Sequence, residues 1–253
     1  MIARAVILLA ALCAAAPTHA ALSQRDLARA VAKPPAGATL PGSLSFTDQR
    51  GMATTLGAVA DGAPLVLIFA DFTCRHVCAP ALAMTSGALS ATGLSPGRDY
   101  RLAVVGIDPN DTPADARHLA QSAGTSPVIA RATALLAGDA ANVRAATGAL
   151  GYGYVYDAAN DQFAHDAAVY VFGRDGRFTA LLPELALQPA ALRAALTGAE
   201  PARPSLAERV AHLCYGFAAA QGRFGRPVVI ALQALSLLLL ASVGVLVWRR
   251  RRA

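Results

Sequence analysis

The sequence predicts an α/β sandwich, a fold in which β-strands alternate with α-helices along the chain. An apolar run at 65–70 and a mostly apolar stretch at 101–107 are typical of strands buried inside a sheet. Each run is followed by a segment with the residues of a helix start. Two further apolar runs flank Asp175-Gly176, the strongest hairpin signal in the chain.

The first part of the chain begins with a predicted short helix, because Ser23 can cap the apolar periodicity that follows it. A hairpin around Arg50-Gly51 comes next, and then the first buried strand. That strand leads into a helix that ends before Gly93. The predicted ranges are 23–32 for the short helix, 44–47 and 54–59 for the hairpin, 65–70 for the strand, and the cysteines to about residue 90 for the second helix.

The second part of the chain continues the alternation. After the strand at 101–107, Thr112 or Asp111 should cap a helix that has Pro113 near its first position. A strand at 132–136, a helix at 139–150 and an aromatic β-like stretch at 151–157 follow. The hairpin at 167–172 and 177–182 comes next, and a helix at 188–196 closes the domain. Strands alternating with helices, with a terminal hairpin and helix, are typical of a thioredoxin-like α/β sandwich.

The amino-terminal end has the pattern of a cleaved secretory signal. Residues 1–20 combine Arg4, an apolar run and small residues ahead of Ala21. A lipoprotein signal with Cys13 as the lipidated residue is the alternative, although bulky Leu12 stands where such signals have a small residue.

The carboxyl-terminal end predicts one transmembrane helix. Residues 228–248 contain no charge, are long enough to cross a bilayer, and are followed by four arginines that favour the cytoplasmic side. The sequence thus predicts a single-pass protein of the bacterial inner (cytoplasmic) membrane with its soluble domain in the periplasm. The predicted parts are a signal peptide at 1–20, a domain at 21–200, a linker and juxtamembrane segment at 201–227, the span at 228–248 and a cytoplasmic tail at 249–253.

The net charge of +6 arises mainly from these ends, since Arg4 and the four final arginines account for most of the excess of 22 basic over 16 acidic residues. The charge therefore gives no reason to expect nucleic acid as a partner. The expected mature chain keeps Cys74, Cys78 and Cys214. In an oxidising compartment one pair could form a disulfide and leave one thiol over.

Cys74 and Cys78 directly follow the first buried strand, where the next helix is expected to begin. Unpaired N–H groups at a helix start favour thiolates, and a spacing of four brings helical side chains to one face. Thiol exchange enzymes of the thioredoxin type usually have two intervening residues rather than three. The wider spacing still allows a disulfide but also lets two thiolates converge on a metal, so the motif predicts a redox or a metal site.

His165, just before a predicted strand, is the candidate third ligand. Two thiolates and one imidazole make a soft, trigonal site suited to Cu(I), whereas structural zinc would take a fourth ligand. His76, between the cysteines, is either a spare ligand or a solvent-exposed histidine.

From about residue 44 to residue 196 the sequence resembles the Sco/SenC family of copper-binding assembly factors for cytochrome c oxidase. The Cys74-x-x-x-Cys78 element is similar to the family's copper motif, and VVGIDPNDTP at 104–113 resembles its strand end with Asp-Pro and Thr-Pro. The family's Gly-Asp, Tyr-x-Tyr, His, strand and Asp-Gly features follow in order over 135–178. Cys214-Tyr215 and the final span resemble a subgroup with a C-terminal anchor.

The resemblance implies a copper ion held by Cys74, Cys78 and His165, with Asp108 supporting the ligands from outside. It implies a metallochaperone that takes copper from an upstream donor and delivers it to subunit II of cytochrome c oxidase. Family members commonly have proline directly after each cysteine, and here Arg75 and Ala79 occupy those positions. Arg75 would favour thiolates electrostatically.

Two other functions fit the same residues. A thiol–disulfide oxidoreductase would use Cys74 as the attacking thiolate and Cys78 as the resolving one, and could reduce the cysteines of the oxidase copper site without His165. A structural domain with an ordinary Cys74–Cys78 disulfide is the third possibility, and it leaves the matching intervals around His165 unexplained.

Overall fold

The structure, a computed structural model, describes residues 22–74 and 77–199. The chain divides into two compact units, Met1–Pro201 and Ala202–Ala253, and the described residues all belong to the first. The predicted signal peptide, juxtamembrane segment, Cys214, transmembrane span and cytoplasmic tail lie outside them. None of the helices in the described part is long and apolar enough to cross a membrane.

Nine strands are present in the described residues: β1 Ser45–Asp48, β2 Ala53–Thr55, β3 Leu65–Ala70, β4 Arg101–Gly106, β5 Thr133–Ala137, β6 Tyr154–Asp157, β7 Gln162–His165, β8 Ala168–Phe172 and β9 Phe178–Pro183. Seven of them form one sheet in the order β2-β1-β5-β4-β3-β8-β9. In this sheet β3, β4 and β5 run parallel, and the other neighbours pair antiparallel. Strands β6 and β7 form a separate antiparallel hairpin.

Helices connect most of these strands: α1 Gln24–Leu27, α2 Leu56–Ala60, α3 Cys78–Ala91, α4 Pro113–Ser122, α5 Pro127–Arg131, α6 Ala140–Ala149 and α7 Pro189–Thr197, with a 3-10 turn at Glu184–Ala186. The predicted cap of α4 is confirmed, because the Thr112 side chain accepts a hydrogen bond from the Asp115 N–H in a reciprocal capping box, with Pro113 in the first turn. Asp139 likewise caps α6.

The side chains of β3 alternate between two hydrophobic cores. Val66 and Ile68 pack on one face with residues of α3, α4 and α7, and Leu67 and Phe69 pack on the other with α2 and α6. Every residue of β3 is buried, as the apolar run predicted. Each such side chain contributes roughly 1.5–3 kcal/mol of hydrophobic stabilisation. The predicted thioredoxin-like α/β sandwich is confirmed.

The structure differs from three local predictions. The helix predicted at 23–32 is limited to α1, because Ala32 pairs as an extended residue with Tyr152. The second hairpin strand ends at Thr55, whose hydroxyl accepts a hydrogen bond from the Ala58 N–H and begins α2. The cysteine helix begins at Cys78, so Cys74 lies in the preceding loop. Strand β7 and helix α5 lack a strong periodic pattern and were not predicted.

Candidate thiol and metal site

Asp71 organises the loop that carries Cys74 between β3 and α3. Its side chain is buried, with 2% exposed, and one carboxylate oxygen accepts hydrogen bonds from the Thr73 N–H at 3.0 Å and the Thr73 hydroxyl at 2.8 Å. The Cys74 N–H donates to the Asp71 carbonyl at 3.2 Å. The second carboxylate oxygen accepts from the Phe163 N–H at 3.4 Å. Asp71 thereby connects the cysteine loop to β7.

No disulfide joins Cys74 and Cys78 in the structure, and their environments differ. Cys78 is buried in the core beside α3, whereas Cys74 is partly exposed. Burial raises the pKa of the Cys78 thiol well above its usual value, and the adjacent Cys74 and Asp71 side chains raise it further. The prediction that the helix start activates both sulfurs is therefore wrong for Cys78, because desolvation outweighs the helix terminus.

Cys74, Cys78 and His165 line one cavity of about 390 Å³ at the carboxyl end of β3. The sequence therefore identified three side chains that the fold brings to one place. The cavity wall is mostly apolar and includes Leu27, Ile68, Phe69, Leu82, Leu119, Phe163 and Leu185. Within residues 22–74 and 77–199, no three Cys, His, Asp or Glu side chains are grouped closely enough to hold a metal ion in this conformation.

His165 is the last residue of β7, and hydrogen bonds fix one side of its ring. Its Nδ1 lies 2.7 Å from the Tyr152 hydroxyl and 3.1 Å from the Asp166 carbonyl oxygen. Burial lowers the pKa of the imidazole, although the Asp166 carbonyl and the Asp71 carboxylate oppose the shift. The neutral imidazole that results is the form that binds a metal.

The structure places Asp108 in the loop after β4, where its carboxylate accepts hydrogen bonds from the Asn110 N–H at 2.8 Å and the Asn110 side-chain amide at 2.9 Å. Asp108 is not among the residues that line the cysteine cavity. Its supporting role stays a prediction. Asp71 is the carboxylate whose charge acts on both Cys78 and His165. The sequence signal that could have identified Asp71 as a site residue is its position directly after β3.

Glu184 is a second carboxyl group that sequence analysis missed. It lines the same cavity, is 4% exposed, and accepts a hydrogen bond from the Thr85 hydroxyl at 3.2 Å. Burial raises its pKa to about 7. No motif surrounds Glu184 in the sequence, so only the folded structure could show that it faces the cysteine helix.

Comparisons with solved structures show the same fold. A protein from Aquifex aeolicus VF5 described as a putative electron transfer protein matches with a TM-score of 0.57 and 18% identity, over 65% of this chain and 95% of that chain. A SCO1/SenC family lipoprotein from Bacillus anthracis matches with a TM-score of 0.56 and 17% identity, over 65% and 96%. Yeast Sco1 with copper bound matches with a TM-score of 0.51 and 16% identity, over 68% and 94%.

None of the curated proteins compared with this chain matches it significantly in sequence. The family model for SCO1/SenC, however, matches residues 32–199, which include both cysteines, His165 and the whole sheet. This match covers more than half of the chain, and the chain therefore belongs to the SCO1/SenC family.

Proposed function

We propose that this protein is a membrane-anchored periplasmic copper chaperone that binds Cu(I) through Cys74, Cys78 and His165 and delivers it to cytochrome c oxidase during assembly. The observation that carries the proposal is that these three side chains line one cavity. Family membership and the copper bound to yeast Sco1 support the choice of metal. The description of a similar structure as a member of a family of oxidase assembly proteins supports the acceptor. The anchor and the compartment rest on the sequence patterns at 1–20 and 228–248.

The chemistry of the donor set fits Cu(I). Two thiols and a neutral imidazole are soft or intermediate donors, and the cavity that they line is mostly apolar. Because no three-ligand group is closed among the described residues, binding by all three requires the cysteine loop and His165 to approach each other. Copper is the cargo, so a site that must close to hold it can also open to release it.

The proposal is tested by titrating the reduced full chain, purified in detergent, with Cu(I) against a competing chelator. One Cu(I) per chain is expected. His165→Ala should weaken binding by more than the roughly tenfold that loss of a supporting residue typically causes. The matched control is His118→Ala, because His118 is exposed on α4 and does not line the cavity. Absence of Cu(I) binding by the wild-type protein overturns the proposal.

A thiol–disulfide reductase is the second candidate, favoured by a partly exposed Cys74 in contact with a buried Cys78. The Cys74 thiolate would attack a substrate disulfide and release one substrate thiolate. Cys78 would then attack the Cys74 sulfur and release the other, leaving a Cys74–Cys78 disulfide and a substrate reduced by two electrons. Cys74→Ser should abolish single-turnover reduction of a disulfide peptide, and His165→Ala should leave it unchanged. Reduction that is equally fast in Cys74→Ser excludes this function.

A further inference from the structure

We infer that Tyr152 is a positioning residue that holds His165 in the tautomer with the proton on Nδ1, so that the lone pair of Nε2 is the one available to copper. The assignment of that lone pair to copper rests on the proposed function. The tautomer itself is a property of the metal-free protein, so the two can be tested separately.

Counting protons among three neighbouring groups gives the tautomer. The Tyr152 hydroxyl oxygen lies 2.8 Å from the Asp166 carbonyl oxygen and 2.7 Å from His165 Nδ1. A carbonyl can only accept, so the single hydroxyl proton of Tyr152 must point to Asp166. The contact between Tyr152 and Nδ1 is then a hydrogen bond only if Nδ1 carries a proton and donates it. The 3.1 Å contact between Nδ1 and the Asp166 carbonyl requires the same proton.

The opposite tautomer leaves two of the three contacts without a proton. If Nδ1 accepted from Tyr152, the hydroxyl would have no proton for the Asp166 carbonyl, and two oxygen lone pairs would face each other at 2.8 Å. The Asp166 carbonyl would also face the Nδ1 lone pair. Leaving partly buried polar groups unsatisfied is unfavourable, so the tautomer with the proton on Nδ1 is favoured.

Packing prevents Tyr152 from moving away from His165. Its side chain is buried, with 4% exposed, and its ring stacks on Phe69 with centroids 4.4 Å apart. Tyr170 contacts the same ring from the side, with centroids 6.2 Å apart. The hydroxyl group of Tyr152 is therefore held at a fixed place beside His165, which lines the cysteine cavity.

The N-terminal segment, residues 22–34, holds both groups that define the tautomer. Ala32 pairs with Tyr152, and the Ala32 N–H donates to the Asp166 carboxylate at 3.2 Å. The two neighbours of Tyr152 in the chain are also hydrogen-bonded to this segment. The Gly151 carbonyl accepts from the Lys33 N–H at 2.8 Å, and the Gly153 N–H donates to the Val31 carbonyl at 3.1 Å. Tyr152 and Asp166, the two partners of Nδ1, are thus both attached to one stretch of backbone.

Both hydrogen bonds described for His165 fall on Nδ1, so the fixed side of the ring is the side away from Nε2. Metal-binding histidines commonly donate their second N–H to such a partner, which sets the ring orientation and raises ligand basicity. Here the Tyr152 hydroxyl, which is hydrogen-bonded to the Asp166 carbonyl, orients the His165 ring without adding a charge to the site.

The test is a long-range ¹H–¹⁵N spectrum of the metal-free full chain in alkaline buffer, with His165 assigned by comparison with His165→Ala. The wild-type protein should show a protonated Nδ1 and an unprotonated Nε2. Tyr152→Phe keeps the aromatic stack and should show a measurable population protonated on Nε2. The matched control is Tyr170→Phe, because Tyr170 is buried against Phe69 but donates its hydroxyl proton to Leu150. Its spectrum should match the wild type.

A wild-type His165 protonated on Nε2 overturns the inference, as does a Tyr152→Phe spectrum identical to the wild type. Cu(I) affinity gives the second readout, and Tyr152→Phe should bind about tenfold more weakly while Tyr170→Phe is unchanged. A shifted tautomer with unchanged affinity overturns the positioning role. If the wild-type chain binds no Cu(I) but has the expected tautomer, the proposed function fails and the tautomer assignment is supported.

Discussion

Thr85 and Glu184 are hydrogen-bonded inside the protein, between the cysteine helix α3 and the 3-10 turn after the last strand. The Thr85 hydroxyl donates to Glu184 at 3.2 Å, and both side chains are buried. Burial raises the pKa of Glu184 from its usual 4.5 to about 7, and the Thr85 hydrogen bond opposes the shift. Because Glu184 also lines the cavity with Cys78, a carboxyl group that titrates near neutral pH lies beside the thiol site.

Glu184→Gln should remove part of the pH dependence of the free energy of unfolding. The folded protein binds the Glu184 proton more tightly than the unfolded chain does. This contribution to stability is therefore fully present below about pH 4.5 and is lost as the pH rises through about 7. The two pKa values correspond to about 3 kcal/mol, an order-of-magnitude figure. The measurement is urea unfolding of wild type and Glu184→Gln across this pH range.

The difference in unfolding free energy between wild type and Glu184→Gln should shift in favour of the variant as the pH rises. A difference that is the same at every pH would contradict the assigned pKa. Thr85→Val provides a second check, because it keeps the shape of the side chain but removes the hydrogen bond that lowers the pKa. In that variant the pH-dependent loss of stability should extend to higher pH.

Asp111 should show the same sign of pH dependence at higher pH. Its carboxylate accepts a hydrogen bond from the Phe72 N–H at 3.3 Å, its other oxygen has no partner among the described residues, and burial raises its pKa to about 8. Its contribution to stability is present below about pH 3.8 and is lost as the pH rises through about 8. Asp111→Asn keeps an acceptor for Phe72 and should therefore be more stable than wild type in alkaline buffer.

Asp111→Ala is the informative contrast, because it leaves the buried Phe72 N–H without an acceptor. It should lower the free energy of unfolding by about 1–3 kcal/mol in acidic buffer, where the wild-type carboxyl is uncharged. Equal stability of the Ala and Asn variants in acidic buffer would show that the Phe72 hydrogen bond contributes nothing.

Gly151→Ala should release the N-terminal segment from its place beside Tyr152. A Cβ atom at Gly151 would lie 2.0 Å from the Lys33 carbonyl oxygen, and the residue has a φ of +60°. Gly124→Ala is a matched control, because Gly124 has a φ of +58° with no atom within 4 Å of the added Cβ. Both variants carry the cost of a left-handed residue, about 1–2 kcal/mol, and only Gly151→Ala adds the collision.

Hydrogen exchange of the Lys33 amide measures this release, since that amide donates to the Gly151 carbonyl. Exchange should be faster in Gly151→Ala than in Gly124→Ala at matched global stability. If the Lys33 amide exchanges at the same rate in both, the segment does not depend on close approach at Gly151.

Sequence patterns were sufficient for elements whose signals are local. The apolar run of β3, the capped start of α4 and the Asp175-Gly176 turn each depend on neighbouring residues, and the structure has all three as predicted, with Thr112 as the cap. The grouping of Cys74, Cys78 and His165 at one cavity also agrees with the prediction. The residue types and the cysteine spacing suggested this ligand set, and the family resemblance then favoured it.

Long-range packing decided what the sequence could not show. The predicted helix at 23–32 competes with the pairing of Ala32 with Tyr152, which is distant in sequence, and the pairing prevails. Glu184 and Asp71 join the site through contacts with Thr85 and Phe163 that no local pattern encodes. The pKa of Cys78 depends on burial, and burial outweighs the helix start that the sequence does reveal.

The different environments of the two thiols predict an order of reaction. Under brief treatment of the reduced protein with iodoacetamide at neutral pH, Cys74 should be modified well before Cys78, because Cys74 is partly exposed and Cys78 is 5% exposed with its pKa raised by burial. Mass spectrometry of the digested protein measures each site separately. In Cys74→Ser, Cys78 should remain slow, since burial is the largest cause of its raised pKa and the substitution removes only the smaller effect of Cys74. Fast modification of Cys78 in that variant would mean that Cys74, rather than burial, controls its reactivity.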